Sequence, residues 1–224
     1  MERKRGRGRR RQGCRGDEDL DVRLSKSLSF VLRHGAARMR LNMSSDGFLL
    51  VEDLLSHPQF HSFSLEDIER VVANNDKQRF KLRRHPSTGQ LEIRANQGHS
   101  FQVVDLELRE VHLDSPDCPK EAVHGSYLKH WPSIRTHGLS RMKRTHIHLA
   151  PGLPEESTVI SGMRQNCDLA IYVDVCKALA DGILFFWSDN GVLLTPGDTD
   201  GRLAAKYFTR AVQLKPTNCE LPLE

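Results

Sequence analysis

The chain lacks, first, any pairing pattern among its cysteines. There are five, at 14, 118, 167, 176 and 219, odd in number, far apart and without a C-x-x-C. That excludes a disulfide framework and a cysteine-built zinc site, and it fits a reducing intracellular compartment, cytoplasm or nucleus. Long apolar runs are missing too. Stretches such as "LAIYV" fall far short of the roughly 20 residues that span a bilayer, so no membrane association is expected. The basic N-terminus has no apolar segment behind it, so no secretory signal peptide is expected either. Neither G-x-G-x-x-G nor G-x-x-x-x-G-K-S/T occurs, which removes the Rossmann and P-loop routes to a nucleotide. No internal repeat is visible.

What is present is an ordinary globular composition. The 224 residues are 38% hydrophobic and 28% charged, enough for one large or two small domains. The net charge of +4 is unevenly placed: residues 1–16 hold eight Lys or Arg against Glu2, which is +7 and leaves −3 on the rest. The body is therefore not globally basic, and any nucleic-acid site in it must be a local cluster. The Arg/Gly-rich tail, residues 1–18, is expected to be disordered, as an RNA-binding arm or simply a solvated one.

Two stretches of different patterning follow. Leu24, Leu28, Val31 and Leu32 have the spacing of an amphipathic helix, with Gly35 placed to end it in a left-handed conformation. Ser64 and Asp67 form a capping pattern ahead of a helix with Leu65, Ile68, Val71 and Val72 on its buried face. "RFKLRR" and "LEIRA" alternate around "HPSTG" as a β-hairpin would. Helices followed by such a hairpin describe a winged helix. Residues 106–120 are polar, with Pro116 and Pro119, and are expected to be a connector. Beyond them come short strands ("AVHG", "THIHLA", "DLAIYVDV", "ILFFWS", "GVLLT", "YFTRAVQL"), helical candidates at 127–136 and 156–164, and an Asn-Gly turn in "SDNGV". This half is mixed α+β.

Several fragments carry candidate chemistry, and each has a plain structural reading beside it. Arg33 and His34 either close a helix, where cations are favoured, or wait for a phosphate. Lys77 and Arg79, one residue apart, share a face if their segment is extended. Asn96, Gln97, His99 and Ser100 crowd polar side chains where a strand would alternate. His146 and His148, with His124, resemble part of a zinc site, but no carboxylate or cysteine at fixed spacing completes it, and no metal is expected.

The joint occurrence in order of "LRHG", "KQRF", "IRANQGHS", "VHGSY", "RTHIHLA" and "NGVLLT" resembles the NAD-dependent RNA 2′-phosphotransferases of the KptA family, most closely its animal members, over residues 20–212. The resemblance implies an α+β fold: a winged-helix RNA-phosphate lobe (19–105), the connector (106–120), an ADP-ribosyltransferase-like NAD lobe (121–215) and a flexible C-terminus (216–224). The family's Arg-His-Arg-Arg catalytic set falls on Arg33, His34, Arg79 and Arg144. Lys77, Asn96, Gln97, His99 and Ser100 are implied at the RNA phosphate. His124, Gly125 and Ser126 are implied at the NAD, with His148, Asn190, Gly191 and Thr195 lining the same cleft. Ser126 stands where many relatives have threonine, which keeps the hydroxyl and loses a methyl.

The implied enzyme is a monomer that completes tRNA splicing and consumes NAD as co-substrate. The RNA 2′-phosphate displaces nicotinamide, and the ADP-ribose O2″ then attacks that phosphate, leaving a 2′-OH and ADP-ribose 1″,2″-cyclic phosphate. ADP-ribosylation of terminal nucleic-acid phosphates is a side activity such a first step would allow. Two rivals are a winged-helix nucleic-acid adaptor, which would gain no stability from NAD, and a protein mono-ADP-ribosyltransferase, whose E-x-E motif is absent here.

Overall fold

A computed structural model describes residues 13–153, 163 and 166–223, with side chains from residue 19 onward. Of the tail expected to be disordered over residues 1–18, residues 13–18 belong to a helix that starts at Gly13, while residues 1–12, and the helix expected at 156–164 apart from Met163, lie outside the described residues. The fold is mixed α/β, and every strand pairing among the described residues is antiparallel.

The N-terminal half runs α1 (Gly13–Phe30), β1 (Leu49–Leu50), α2 (Val51–Ser56), α3 (Leu65–Ala73), β2 (Phe80–Arg84) and β3 (Leu91–Ala95). Its three strands pair in the order β1-β3-β2. Leu24, Leu28, Val31 and Leu32 of the first helical stretch are fully buried against Ile68 of α3 and Ile93 of β3, in one apolar cluster. α3 starts on the expected capping box: Ser64 Oγ accepts from Asp67 N–H at 3.2 Å and Asp67 accepts from Ser64 N–H at 2.8 Å. Arg70 of α3 then bridges to Asp21 of α1 at 2.7 Å.

The C-terminal half contains β4 (Leu108–Val111), β5 (Glu121–Ser126), α4 (Trp131–His137), β6 (Leu139–Ser140), β7 (Ile147–Leu149), β8 (Leu169–Asp174), α5 (Val175–Ala180), β9 (Phe185–Ser188), β10 (Leu193–Thr195), β11 (Arg202–Leu203), β12 (Phe208–Gln213) and β13 (Cys219–Leu221). Two four-stranded sheets, β4-β9-β10-β7 and β13-β12-β8-β5, enclose a second apolar cluster around Ile171, Leu193 and Phe185, and β6 pairs with β11. Residues 106–120, expected as a connector, contribute β4, because Leu108–Val111 finds a partner in β9. The C-terminal segment expected to be flexible likewise supplies β13, paired with β12. Among the described residues no helix is long and apolar enough to cross a membrane.

Candidate active site

A cleft of about 900 Å³ opens where the two halves meet. Among the described residues six of its lining side chains are Arg or Lys (Arg33, Lys77, Arg79, Arg141, Lys143 and Arg144), and none is Asp or Glu. His34, Gln97, Ser100, His124, Gly125, Ser126 and His148 also line it.

Arg33 and His34 arrive there through an irregularity in the first helix. Instead of ending at a left-handed Gly35, the chain widens into a π turn over Val31–Gly35, where Ala36 N–H bonds to Val31 C=O at 3.0 Å. Such turns recur at functional sites. The left-handed residue that stops the run is Arg40, at φ 57°. Gly35 answers to crowding rather than φ: a Cβ there would meet the Phe30 ring at 2.7 Å. Ser100 secures the turn from outside. Its N–H and Oγ both donate to Arg33 C=O, at 3.0 and 3.3 Å, and His34 Nδ1 lies 3.0 Å from the same hydroxyl.

Lys77 and Arg79 share the cleft, though not by sharing the face of an extended segment. Gln78 between them has φ 43°, because its N–H closes a turn onto Asn75 C=O at 2.8 Å. Three asparagine side chains hold this loop. Asn75 Oδ1 accepts from Arg79 N–H at 3.1 Å, Asn96 Nδ2 donates to Gln78 C=O at 2.7 Å, and Asn190 Nδ2 donates to Lys77 C=O at 2.9 Å. Lys77 Nζ itself donates to Met163 C=O at 3.1 Å.

Arg144 is steered by histidine. His148 Nε2 lies 2.7 Å from Gln97 Oε1, an acceptor, so that nitrogen carries the proton; Nδ1 is left to accept from Arg144, at 3.5 Å. His124 Nδ1 donates to His148 C=O at 2.9 Å, which ties β5 to β7 under the cleft. Next to it Gly125 is required by close packing, since a Cβ would come within 2.3 Å of Met163 Cγ.

The cations repel one another at close quarters. Burial first, then Arg144 and Arg79, push the Arg33 guanidinium down to about 10. Burial also lowers Arg79. His34 is lowered by burial, Arg33 and Arg144. His148 lies well below the ordinary histidine value, through burial and then Arg144 and Arg33. His99 is lowered to about 4, chiefly by burial and then by Arg33. Each such histidine binds its proton less well folded than unfolded, so the unfolded state holds more protons as pH falls below the ordinary value. Their contribution to stability is therefore full above about 6.5 and is lost progressively as pH falls below that, the His99 share being gone by about 4. Melting temperature should drop between about pH 7.5 and about pH 5, and His99→Phe should flatten that slope. An unchanged slope in the variant would contradict the assignment.

Other residues expected at the site lie behind it. His99 is 1% exposed, and neither ring nitrogen has a hydrogen-bond partner; its carbonyl accepts from Thr145 N–H at 3.1 Å. Asn96 is buried and serves the Lys77–Arg79 loop, as does Asn190. Gly191 turns the β9–β10 connection at φ 69°, and buried Thr195 accepts from Gly197 N–H at 3.0 Å. Conversely, Tyr127, His130, Arg141 and Lys143 line the cleft and were not singled out from the sequence. The charge run "RMKR" was the available signal for two of them. Among the described residues no group of three or more His, Cys, Asp or Glu could hold a metal ion.

Convergent guanidinium groups with no carboxylate among the described lining residues make an arrangement suited to phosphate groups, which arginine forks bind bidentately. The chain belongs to the RNA 2'-phosphotransferase, Tpt1 / KptA family, whose model matches residues 19–197. It is 69% identical to the tRNA 2'-phosphotransferase 1 of Danio rerio over 98% of this chain and 97% of that protein. The tRNA 2'-phosphotransferase 1 of Homo sapiens is 56% identical over 97% of this chain and 85% of its own. The tRNA 2'-phosphotransferase of Saccharomyces cerevisiae is 37% identical over 78% of each.

Proposed function

We propose that the protein transfers the splice-junction 2′-phosphate of ligated tRNA to NAD, leaving a 2′-OH, nicotinamide and ADP-ribose 1″,2″-cyclic phosphate. One observation carries this reading: the Arg33–His34 pair, Arg79 and Arg144, far apart in sequence, line one cleft in which no described side chain is acidic. The names of the relatives support the RNA half of it. The helix–strand–helix–helix–strand–strand order with its β1-β3-β2 sheet supports reading the first half as a winged helix. The second half, with its two four-stranded antiparallel sheets, is read as the ADP-ribosyltransferase-like lobe.

Arg33, Arg79 and Arg144 take the phosphate monoester, which carries roughly −1.5 to −2 at neutral pH and needs no base to become a nucleophile. This fits a cleft with no carboxylate among its described lining residues. NAD supplies the ribose carbon that accepts the phosphate and a leaving group that departs neutral. A cleft of about 900 Å³ is ample for a dinucleotide, and His124, Gly125, Ser126 and Tyr127 at the end of β5 would hold it. His34 orients the phosphate at the mouth, tied by Ser100.

Turnover of a 2′-phosphorylated RNA oligonucleotide, with and without NAD, tests the reading: loss of the 2′-phosphate is expected only with NAD, and NAD-independent loss would refute it. Ser126→Ala should act through NAD alone. A hydroxyl contact is worth about 0.5–1.5 kcal/mol, so the NAD concentration for half-maximal rate should rise several-fold. RNA affinity should hold; a loss there with NAD saturation unchanged would reverse the assignment of the two halves.

A further inference from the structure

The turn between β9 and β10 reaches from the C-terminal half into the N-terminal one. Asn190, 1% exposed, is the residue that grips Lys77 C=O, and its Oδ1 accepts from Ser188 Oγ at 2.9 Å. Its neighbour Asp189 receives Lys81 of β2 and Arg94 of β3, each at 2.8 Å. Glu107, just before β4, takes the same two cations at 2.9 and 2.7 Å. Arg94 is 2% exposed, while Lys81 and Glu107 reach solvent, so the anchor runs from a buried guanidinium out to the surface. Two adjacent residues thus divide the seam between them. Asp189 fixes the β2–β3 hairpin, and Asn190 fixes the loop that leads into it.

We propose that Asn190 is a positioning residue for the Lys77–Arg79 loop, and not part of the NAD subsite. This rests on reading that loop as a holder of the RNA 2′-phosphate. Of the three asparagine side chains on the loop, Asn75 and Asn96 belong to the same half as the loop itself. Asn190 alone of the three comes from the half that carries Arg144, so it registers Lys77 and Arg79 against Arg144 across the cleft. Gln78 at φ 43° gives the loop a costly backbone conformation, maintained by its own turn onto Asn75 C=O together with these side-chain contacts.

The test uses the full chain with Asn190→Ala and, as a change that leaves the Asn190 side chain in place, Ser188→Ala, which removes the partner of Asn190 Oδ1 together with that hydroxyl's two bonds to Val192. Amide exchange at Gln78 and Arg79 should quicken in both variants with no ligand present; unchanged exchange overturns the proposal whatever the enzyme does. Affinity for a 2′-phosphorylated oligonucleotide should fall about tenfold in Asn190→Ala, while NAD affinity stays within about twofold. In a background carrying both Lys77→Ala and Arg79→Ala the Asn190→Ala loss should shrink to less than about twofold, because it acts through those two side chains and coupled groups are not additive. A fall in NAD affinity instead, or losses that multiply, would overturn the proposal. If the wild-type chain itself fails to bind the oligonucleotide, the reading of the loop fails, and the exchange result still decides whether Asn190 holds it. Should Asn190→Ala not fold, Ser188→Ala gives the same pattern at about threefold.

Discussion

Arg33→Met is expected to abolish turnover and to raise the melting temperature. The guanidinium is held where it is least comfortable: its Nε is buried with no hydrogen-bond partner, and burial with Arg144 and Arg79 depresses it to about 10. A group whose charged form is disfavoured by the fold destabilises that fold until an anion arrives. Replacing buried charge by an apolar side chain of similar volume is often neutral or stabilising. For a chain of this size each kcal/mol gained would lift the melting temperature by roughly 2–4 °C. The same residue is asked to meet charge on the phosphate, where loss of one fixed donor costs about 10²–10³ in rate. Arg33→Lys should recover little, since a point charge cannot form the bidentate fork. Calorimetry and single-turnover assays check the pair of effects; a destabilised yet active Arg33→Met enzyme would contradict them.

Lys77→Ala combined with Arg79→Ala should separate the two halves of the proposed reaction. In the first half the phosphate already bears its charge, so cations position it and also quiet its nucleophilicity. In the second, charge grows on the phosphoryl oxygens and on the departing RNA oxygen, and fixed donors act most strongly where charge develops. Both side chains line the cleft from a loop whose backbone is held by Asn75, Asn96 and Asn190. They are therefore preorganised for that moment, at about 10²–10³ in rate for such a contact. The double variant should build up RNA bearing ADP-ribose on its 2′-phosphate, seen as a slower-migrating band labelled from adenylate-labelled NAD. Equal loss of both halves, with no such band at any time, would reject this division.

The sequence carried the site unevenly. Arg33, His34, Arg79 and Arg144 could be named because they sit in short fragments that keep their order, and the structure brings them to one cleft. What the Lys77–Arg79 loop depends on could not be read in the same way. The Asn190 contact spans 113 positions and ends on a backbone carbonyl, which has no side-chain signature. Gln78 offers no glycine to announce its positive φ, so an extended segment was the natural expectation. Gly35 misled in the opposite sense, a glycine kept for room beside Phe30 and not for a left-handed turn. β4 is polar enough to pass for a linker, and only its pairing with β9 makes it a strand. The helices of the first half, by contrast, were legible from Leu24, Leu28, Ile68 and the Ser64–Asp67 cap, because periodicity and capping are local.

The central claim is that this cleft passes an RNA 2′-phosphate to NAD. The direct measurement is to label that phosphorus in a short oligonucleotide and follow it through a single turnover with the intact chain. The account predicts that with NAD the label leaves the RNA and appears in ADP-ribose 1″,2″-cyclic phosphate, and that without NAD it stays where it was. Label released as inorganic phosphate, or leaving the RNA without NAD, would contradict it.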